Sequence, residues 1–200
     1  MSGFNKVVEQ ALADGIVARK LVLENHVAEL CEIGEMCAEA VANGHKILLC
    51  GNGGSAADAQ HLAAELLIRL RPNLTRQTLP AIALAMDTST LTACGNDLGF
   101  DVIFERMVEA LGQKGDVLIG ITTSGKSPNV LKALSRAREL GIKTVGFLGG
   151  EGGPAKELCD LKFVAPTNVT ARIQELHITA GHIVMELVEE ILISKGIIKK

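Results

Sequence analysis

Two side chains able to do chemistry, His61 and Glu65, stand four residues apart within a helical pattern. That spacing sets an imidazole and a carboxylate on one face of a helix, an arrangement suited to metal ligation or to proton transfer. Taken alone, the pair reads equally as a solvated polar stripe. What precedes it argues for chemistry. The apolar run 46–50 leads into Gly51-Asn52-Gly53-Gly54-Ser55, where glycines let the backbone turn sharply and approach a ligand closely. Ser55 adds a hydroxyl at an expected helix N-cap, and the free N–H groups of a helix start attract an anion. A phosphate cradle is therefore expected to open beside the His61/Glu65 face.

A second polar loop carries four hydroxyls, Thr122, Thr123, Ser124 and Ser127, with Ser127 as the expected N-cap and Pro128 as the first helical residue. Hydroxyls and backbone N–H groups together bind phosphate without a formal charge. The plain alternative is a strand-to-helix turn that Ser127 merely caps. A third cluster, Arg172, Gln174, Glu175, His177 and His182, interrupts an apolar helical pattern, and polar groups buried in a helix need partners. Gln174 and His182 fall about 80° apart around a helix, and His177 also lies close to the Gln174 face. Spacing alone leaves each histidine open as ligand or as hydrogen-bonded core residue. Gly95-Asn96-Asp97 reads by itself as a turn or helix cap.

The elements that must position these residues follow from periodicity. Residues 5–43 alternate apolar and charged positions at helical spacing, predicting two helices broken near Asn25 and stopped at Asn43-Gly44. Apolar runs then recur at 46–50, 80–85, 116–121, 143–148 and 161–164 with helical patterns between them. Such alternation predicts a parallel sheet covered on both faces, whose polar loops line a crevice at the carboxyl ends of the strands. Thr170 to Ser194 is predicted as one long helix, apolar on more than one face through Ile173, Leu176, Ile183, Leu187, Ile191 and Leu192; burial between subunits is expected to account for that breadth. Residues 1–200 are expected to form a single domain, with N-terminal helices over 1–44 and an α/β core over 45–200.

Composition narrows the partners. Hydrophobic residues make up 48% of the chain and the mean hydropathy is +0.28, high for a monomer, so an oligomer is expected. No apolar run approaches the roughly 18 residues of a membrane span, and no basic segment precedes a hydrophobic leader. A cytoplasmic protein without membrane contact is the expectation. Five cysteines without a CxxC argue against a disulfide framework or a thiolate zinc site. With 20 basic against 23 acidic residues, a net charge of −3 and no Trp or Tyr for base stacking, nucleic acid is not expected as a ligand.

Together these segments resemble the phosphoheptose isomerase (sedoheptulose 7-phosphate isomerase) branch of the SIS, or sugar isomerase, domain family. The resemblance spans nearly the whole chain through residues 50–61, 95–97, 122–129 and 172–182. It implies an α/β fold of SIS type, a three-layer sandwich with a central five-stranded parallel sheet flanked by helices, in which N-terminal helices serve oligomerisation. It also implies a homotetramer whose neighbouring subunits complete each site. The implied contacts to a heptose phosphate come from Asn52, Gly53, Gly54, Ser55, Glu65, Asn96, Asp97, Thr122, Thr123, Ser124, Ser127 and Gln174. The implied zinc site is His61, Glu65, Gln174 and His182, which selects His182 over His177. Thr122 stands where the family usually has Ser and keeps the hydroxyl. The stretch Arg69 to Gln77 departs from the usual pattern and leaves open which arginine reaches substrate.

The implied reaction converts sedoheptulose 7-phosphate to D-glycero-D-manno-heptose 7-phosphate through an enediol, the first step towards ADP- or GDP-heptose. The residue types suit it, with Glu65 for the carbon-bound proton, His182 as partner acid and base, and a divalent ion on the two oxygens. Two rivals are weaker. Gly51 to Ala56 formally matches a dinucleotide-binding GxGxxA, but the acidic residue after the second strand, Asp87, lies well beyond the roughly 20-residue spacing of a ribose contact. The other rival is a non-catalytic SIS protein, either a sugar-phosphate sensor or a replication-initiator-binding protein; the resemblance implies that in the latter branch the positions of Glu65 and His182 hold groups unable to serve as acid and base, and this chain has both.

Overall fold

The computed structural model describes residues 3–198. Helices α1 (Phe4–Asn25) and α2 (Val27–Ala42) are separated at His26, and Asn43 and Gly44 end α2, as the helical patterns predict. Five strands follow: β1 (Ile47–Gly51), β2 (Ala81–Ala83), β3 (Val117–Thr122), β4 (Lys143–Leu148) and β5 (Leu161–Val164). All pair in parallel, in the order β2-β1-β3-β4-β5. Strand β2 covers only part of its apolar run, with the Leu84 N–H making one further bond to the Leu49 carbonyl at 2.8 Å. Beyond it the chain turns, and Asp87 caps the next helix by accepting from the Ser89 N–H at 3.0 Å.

Alternation along the strands divides the core into two layers. Ile47, Leu49, Val117, Ile119, Val145 and Phe147 face α2, α3 (Gly54–Leu67) and α7 (Thr170–Ser194). Leu48, Cys50, Leu118 and Leu148 face the other way, towards α5 (Ile103–Leu111) and α6 (Pro128–Glu139). A sheet buried on both sides explains why its strands read as continuous apolar runs. The result is an α/β sandwich of three layers.

This order places the crevice. Strand β1 lies between β2 and β3, and the helix after β1 covers one face while the helix after β3 covers the other. The two loops therefore diverge at a topological switch point, where open α/β sheets bind their ligands.

Much of the apolar breadth of α7 has a use within the chain: Ile173, Leu176 and Leu192 are buried, and Ile183 and Ile191 pack on the same core. Leu187 presses on α2 so closely that a Cβ at Gly34 would lie 2.8 Å from its own. Helix α7 packs mainly on α2 and α3, with Ile183, Leu187 and Ile191 partly exposed. An open apolar stripe lies on α1, where Phe4, Val8, Leu12 and Ile16 recur every fourth residue and are each more than half exposed. Among the described residues no helix is long and apolar enough to cross a membrane, and the five cysteines are free.

Candidate active site

The first half of the site is the turn from β1 into α3. Gly53 is the N-cap residue, with φ +57° and ψ −120°, a conformation that a residue with a Cβ rarely adopts. Ser55 was expected as the cap and instead falls in the first turn of α3, 5% exposed. The glycine takes the cap because only it can make the turn. Gly54 has a different task. A Cβ there would stand 1.6 Å from Gln174 Nε2, so the missing side chain is what lets α7 lay Gln174 across the start of α3.

The second half is the turn from β3 into α6. Ser127 is the N-cap residue and Pro128 the first helical residue, as expected, yet the Ser127 side chain makes no cap bond. Its Oγ lies 3.1 Å from Thr122 Oγ1, which in turn lies 3.4 Å from Ser124 Oγ. Ser124 Oγ accepts from the Lys126 N–H at 3.1 Å. Three hydroxyls thus converge at the start of α6, with Thr123 half-buried beside them. Where the helix dipole is positive, such a cluster suits a phosphate.

A residue outside the expected set joins the two loops. Asn129, 1% exposed, exchanges both amide bonds with Asn52: Asn52 Nδ2 donates to Asn129 Oδ1 at 2.8 Å, and Asn129 Nδ2 donates to Asn52 Oδ1 at 2.9 Å. The Asn52 side chain therefore braces the crevice. Asn96 and Asp97, in the last turn of α4 (Thr88–Asp97), are exposed and bond one another at 2.7 Å. The structure does not draw them into the hydrogen bonds of either loop.

The side chains able to move protons meet next to this crevice. His61 and Glu65 share one face of α3, with His61 Nε2 3.2 Å from Glu65 Oε1. From α7, His182 Nε2 comes to 2.8 Å from His61 Nε2, the two rings packed edge to face at 5.0 Å. One ligand atom from each of His61, Glu65 and His182 lies within 4.8 Å of the others. His177, five residues before His182, is separated from them. It is fully buried, bonds the Leu148 carbonyl through Nε2 at 3.0 Å, and lies near Phe147 and Phe163. Burial pulls its pKa down to about 4, so it is a neutral core histidine.

This donor set fits a divalent cation. Two imidazole nitrogens aimed at one another repel unless a proton or a metal ion lies between them, and two histidines with a carboxylate form a site of catalytic type that keeps a position open. Asp58, one turn before His61, adds to the negative potential. Burial raises its pKa, opposed by His61, Gln174 and His182, and its Oδ2 is buried without a hydrogen-bond partner. Asp58 was legible only as one more polar residue on α3. Nothing in an Asn following a helix-starting proline marked Asn129.

The arginines left open by the sequence sort themselves. Arg71 and Arg76 both bind the buried Glu189 of α7, and Arg69, exposed, donates to the Pro72 carbonyl at 3.1 Å.

Two strand-to-helix turns thus meet at the switch point of a parallel sheet with a His/Glu/His cluster beside them, and residues 15–149 match the SIS domain, making this a SIS-domain α/β protein. Phosphoheptose isomerase of a Nitratiruptor species is 59% identical over 155 residues, covering 78% of this chain and 82% of that protein. Among solved structures, phosphoheptose isomerase from Neisseria gonorrhoeae superposes with a TM-score of 0.88 at 39% identity, covering 94% of this chain and 99% of that one. The enzyme from Francisella tularensis gives 0.89 at 33% identity, over 95% and 100%. The chain belongs to the phosphoheptose isomerase branch of the SIS-domain family.

Proposed function

We propose that this chain isomerises sedoheptulose 7-phosphate to D-glycero-D-manno-heptose 7-phosphate through an enediol, opening the route to nucleotide-activated heptose in the cytoplasm. The observation that carries this reading is the meeting of Glu65, His61 and His182 beside a cradle of helix N-termini and hydroxyls. Gly53, Gly54, Ser55, Thr122, Thr123, Ser124 and Ser127 hold the phosphate and orient the sugar, with Asn52, Gln174, Asn96 and Asp97 completing the contacts. Glu65 takes a proton from C1 of the ketose while His182 delivers one to O2, which gives the enediol. Glu65 then returns its proton to C2 as the O1 proton passes to His182, leaving the aldose and restoring both groups. His61, Glu65, Gln174 and His182 would hold zinc, a donor set of borderline type. When bound, the ion supplies Lewis-acid stabilisation of charge on the two sugar oxygens.

A sugar-phosphate sensor needs only the cradle, and the converged acid and base favour the enzyme. The reading includes a homotetramer assembled through the open apolar stripe of α1, since an exposed surface of that kind marks an interface. Leu12→Asp should then leave each protomer folded and lower the oligomeric state measured by light scattering; an unchanged tetramer would remove α1 from the interface. For the reaction, purified protein is incubated with sedoheptulose 7-phosphate, with and without chelator. The aldoheptose phosphate is expected to form, to vanish with chelator and to return with Zn²⁺. No product from the Zn²⁺-loaded protein would refute the reading.

A further inference from the structure

Helix α3 supplies His61 and Glu65 and α7 supplies Gln174 and His182, so the acid–base pair exists only while two helices distant in sequence keep one spacing. One buried group bonds to both helices. Arg76, in the connection from α3 to β2, has a fully buried side chain. Its Nη2 donates to the Glu65 carbonyl at 2.8 Å and its Nη1 to the Leu66 carbonyl at 2.8 Å. These are carbonyls of the last turn of α3, which lack partners within the helix. Arg76 Nε donates to Glu189 Oε1 at 2.6 Å.

Glu189 is also fully buried, and its Oε2 accepts from Arg71 Nε at 2.9 Å. It follows His182 by seven residues on α7, which brings it back to nearly the same face about two turns further on. All three guanidinium nitrogens of Arg76 are thus used: two on the end of the helix that carries Glu65, one on the His182 side of α7.

Stability is a poor reason for such a pair. Removing two charges from water offsets much of their attraction, and an apolar pair of similar volume is often as stable. What an apolar pair lacks is a set distance and direction. We propose that Arg76 and Glu189 are positioning residues for the isomerase site, locking α3 against α7 and so holding Glu65 and His61 at their distance from His182. The inference rests on the isomerase reading above. The phosphate cradle should be largely indifferent to it, because Asn52 and Asn129 brace that crevice separately.

The test compares the Zn²⁺-loaded double variant Arg76→Met/Glu189→Leu with wild type and with Arg71→Met. Removing both charges leaves neither Arg76 nor Glu189 unpaired, while the Glu65 carbonyl loses its donor and Arg71 keeps only Glu190, so the melting temperature should fall by a few degrees with the protein still folded. With sedoheptulose 7-phosphate, kcat should fall about ten- to a hundredfold while KM stays within about twofold, the signature of misplaced reacting groups. Zn²⁺ affinity, read by chelator competition without substrate, should weaken about tenfold. Arg71→Met, which removes the other partner of Glu189 and leaves the Glu65 carbonyl alone, should keep kcat and zinc affinity.

A folded double variant with wild-type kcat and zinc affinity would overturn the proposal, as would an Arg71→Met variant impaired to the same degree. Should the double variant fail to fold, Arg76→Lys decides. It keeps a charge opposite Glu189, but one ammonium cannot replace a planar fork on both carbonyls, so the same losses are expected and wild-type values overturn the idea. Wild-type protein that binds Zn²⁺ but leaves the sugar phosphate unchanged would refute the isomerase reading, while the zinc affinities of the variants still judge the positioning.

Discussion

The proposed phosphate cradle draws on two loops whose residues are consecutive in sequence and lie where strands end and helices begin, whereas the proposed acid–base cluster joins His61 and His182 across 121 residues. Each loop shapes itself largely from local rules: a glycine at φ +57°, a proline at a helix start, hydroxyls that bond one another. The cluster has no such local source. It depends on how α7 lies against α3, and on a glycine that makes room for Gln174. Damage to the cradle should therefore be graded, and damage to the cluster close to complete.

The largest effect should come from Glu65→Gln, which keeps shape and hydrogen bonding but cannot accept the carbon-bound proton. A fall in kcat of about a thousandfold with KM changed only a few-fold is expected, measured by steady-state assay on the heptulose phosphate. Turnover within a few-fold of wild type would take Glu65 out of the base role.

The two histidines of α7 sharpen the comparison. His182→Ala should lose both the metal and turnover. His177→Ala should keep its zinc, as measured by metal analysis, and instead lose about 2–4 kcal/mol of stability through the cavity left in the core. The opposite pattern would exchange their roles.

His177 also sets a pH dependence. Its folded pKa of about 4 lies below the ordinary 6.5, so between these values the unfolded chain binds a proton that the folded chain excludes. Its contribution is complete above about pH 6.5 and declines as pH falls towards 4, by up to about 3 kcal/mol. Urea unfolding at several pH values, repeated with His177→Leu, checks this: a slope in that window that survives the substitution belongs to other groups.

The smallest effect expected is at the cradle. Ser124→Ala removes one charge-assisted hydrogen bond and should weaken sugar-phosphate binding by on the order of 1.5–3 kcal/mol, with kcat little changed. A heptulose without phosphate should not notice the change. Equal weakening towards both sugars would mean that this loop does not receive phosphate.

Much of this was readable before any fold was known. The runs at 143–148 and 161–164 are strands β4 and β5, and Thr170 to Ser194 is one helix, because sheet strands show as short apolar runs and a long helix by its 3.6-residue period. The pairing of His61 with Glu65 follows from four-residue spacing. Other features had no local signal. Ser55 looked like a cap because serine prefers that position, and only the dihedral angles at Gly53 show that the cap is taken. Asp58, Asn129, Arg76 and Glu189 resemble ordinary polar residues until their burial and partners are known.

The sequence by itself determined the alternation of strands and helices, the two strand-to-helix turns and the face shared by His61 and Glu65, since each depends on neighbours within a few residues and on the fixed periods of helix and strand. Tertiary structure decided which histidine of α7 joins them. His177 and His182 lie on the same helix with the same chemistry. One points into a wall of Phe147, Phe163 and the Leu148 carbonyl, the other towards α3. The choice is set by which element packs on each face of α7, and no spacing within that helix encodes it.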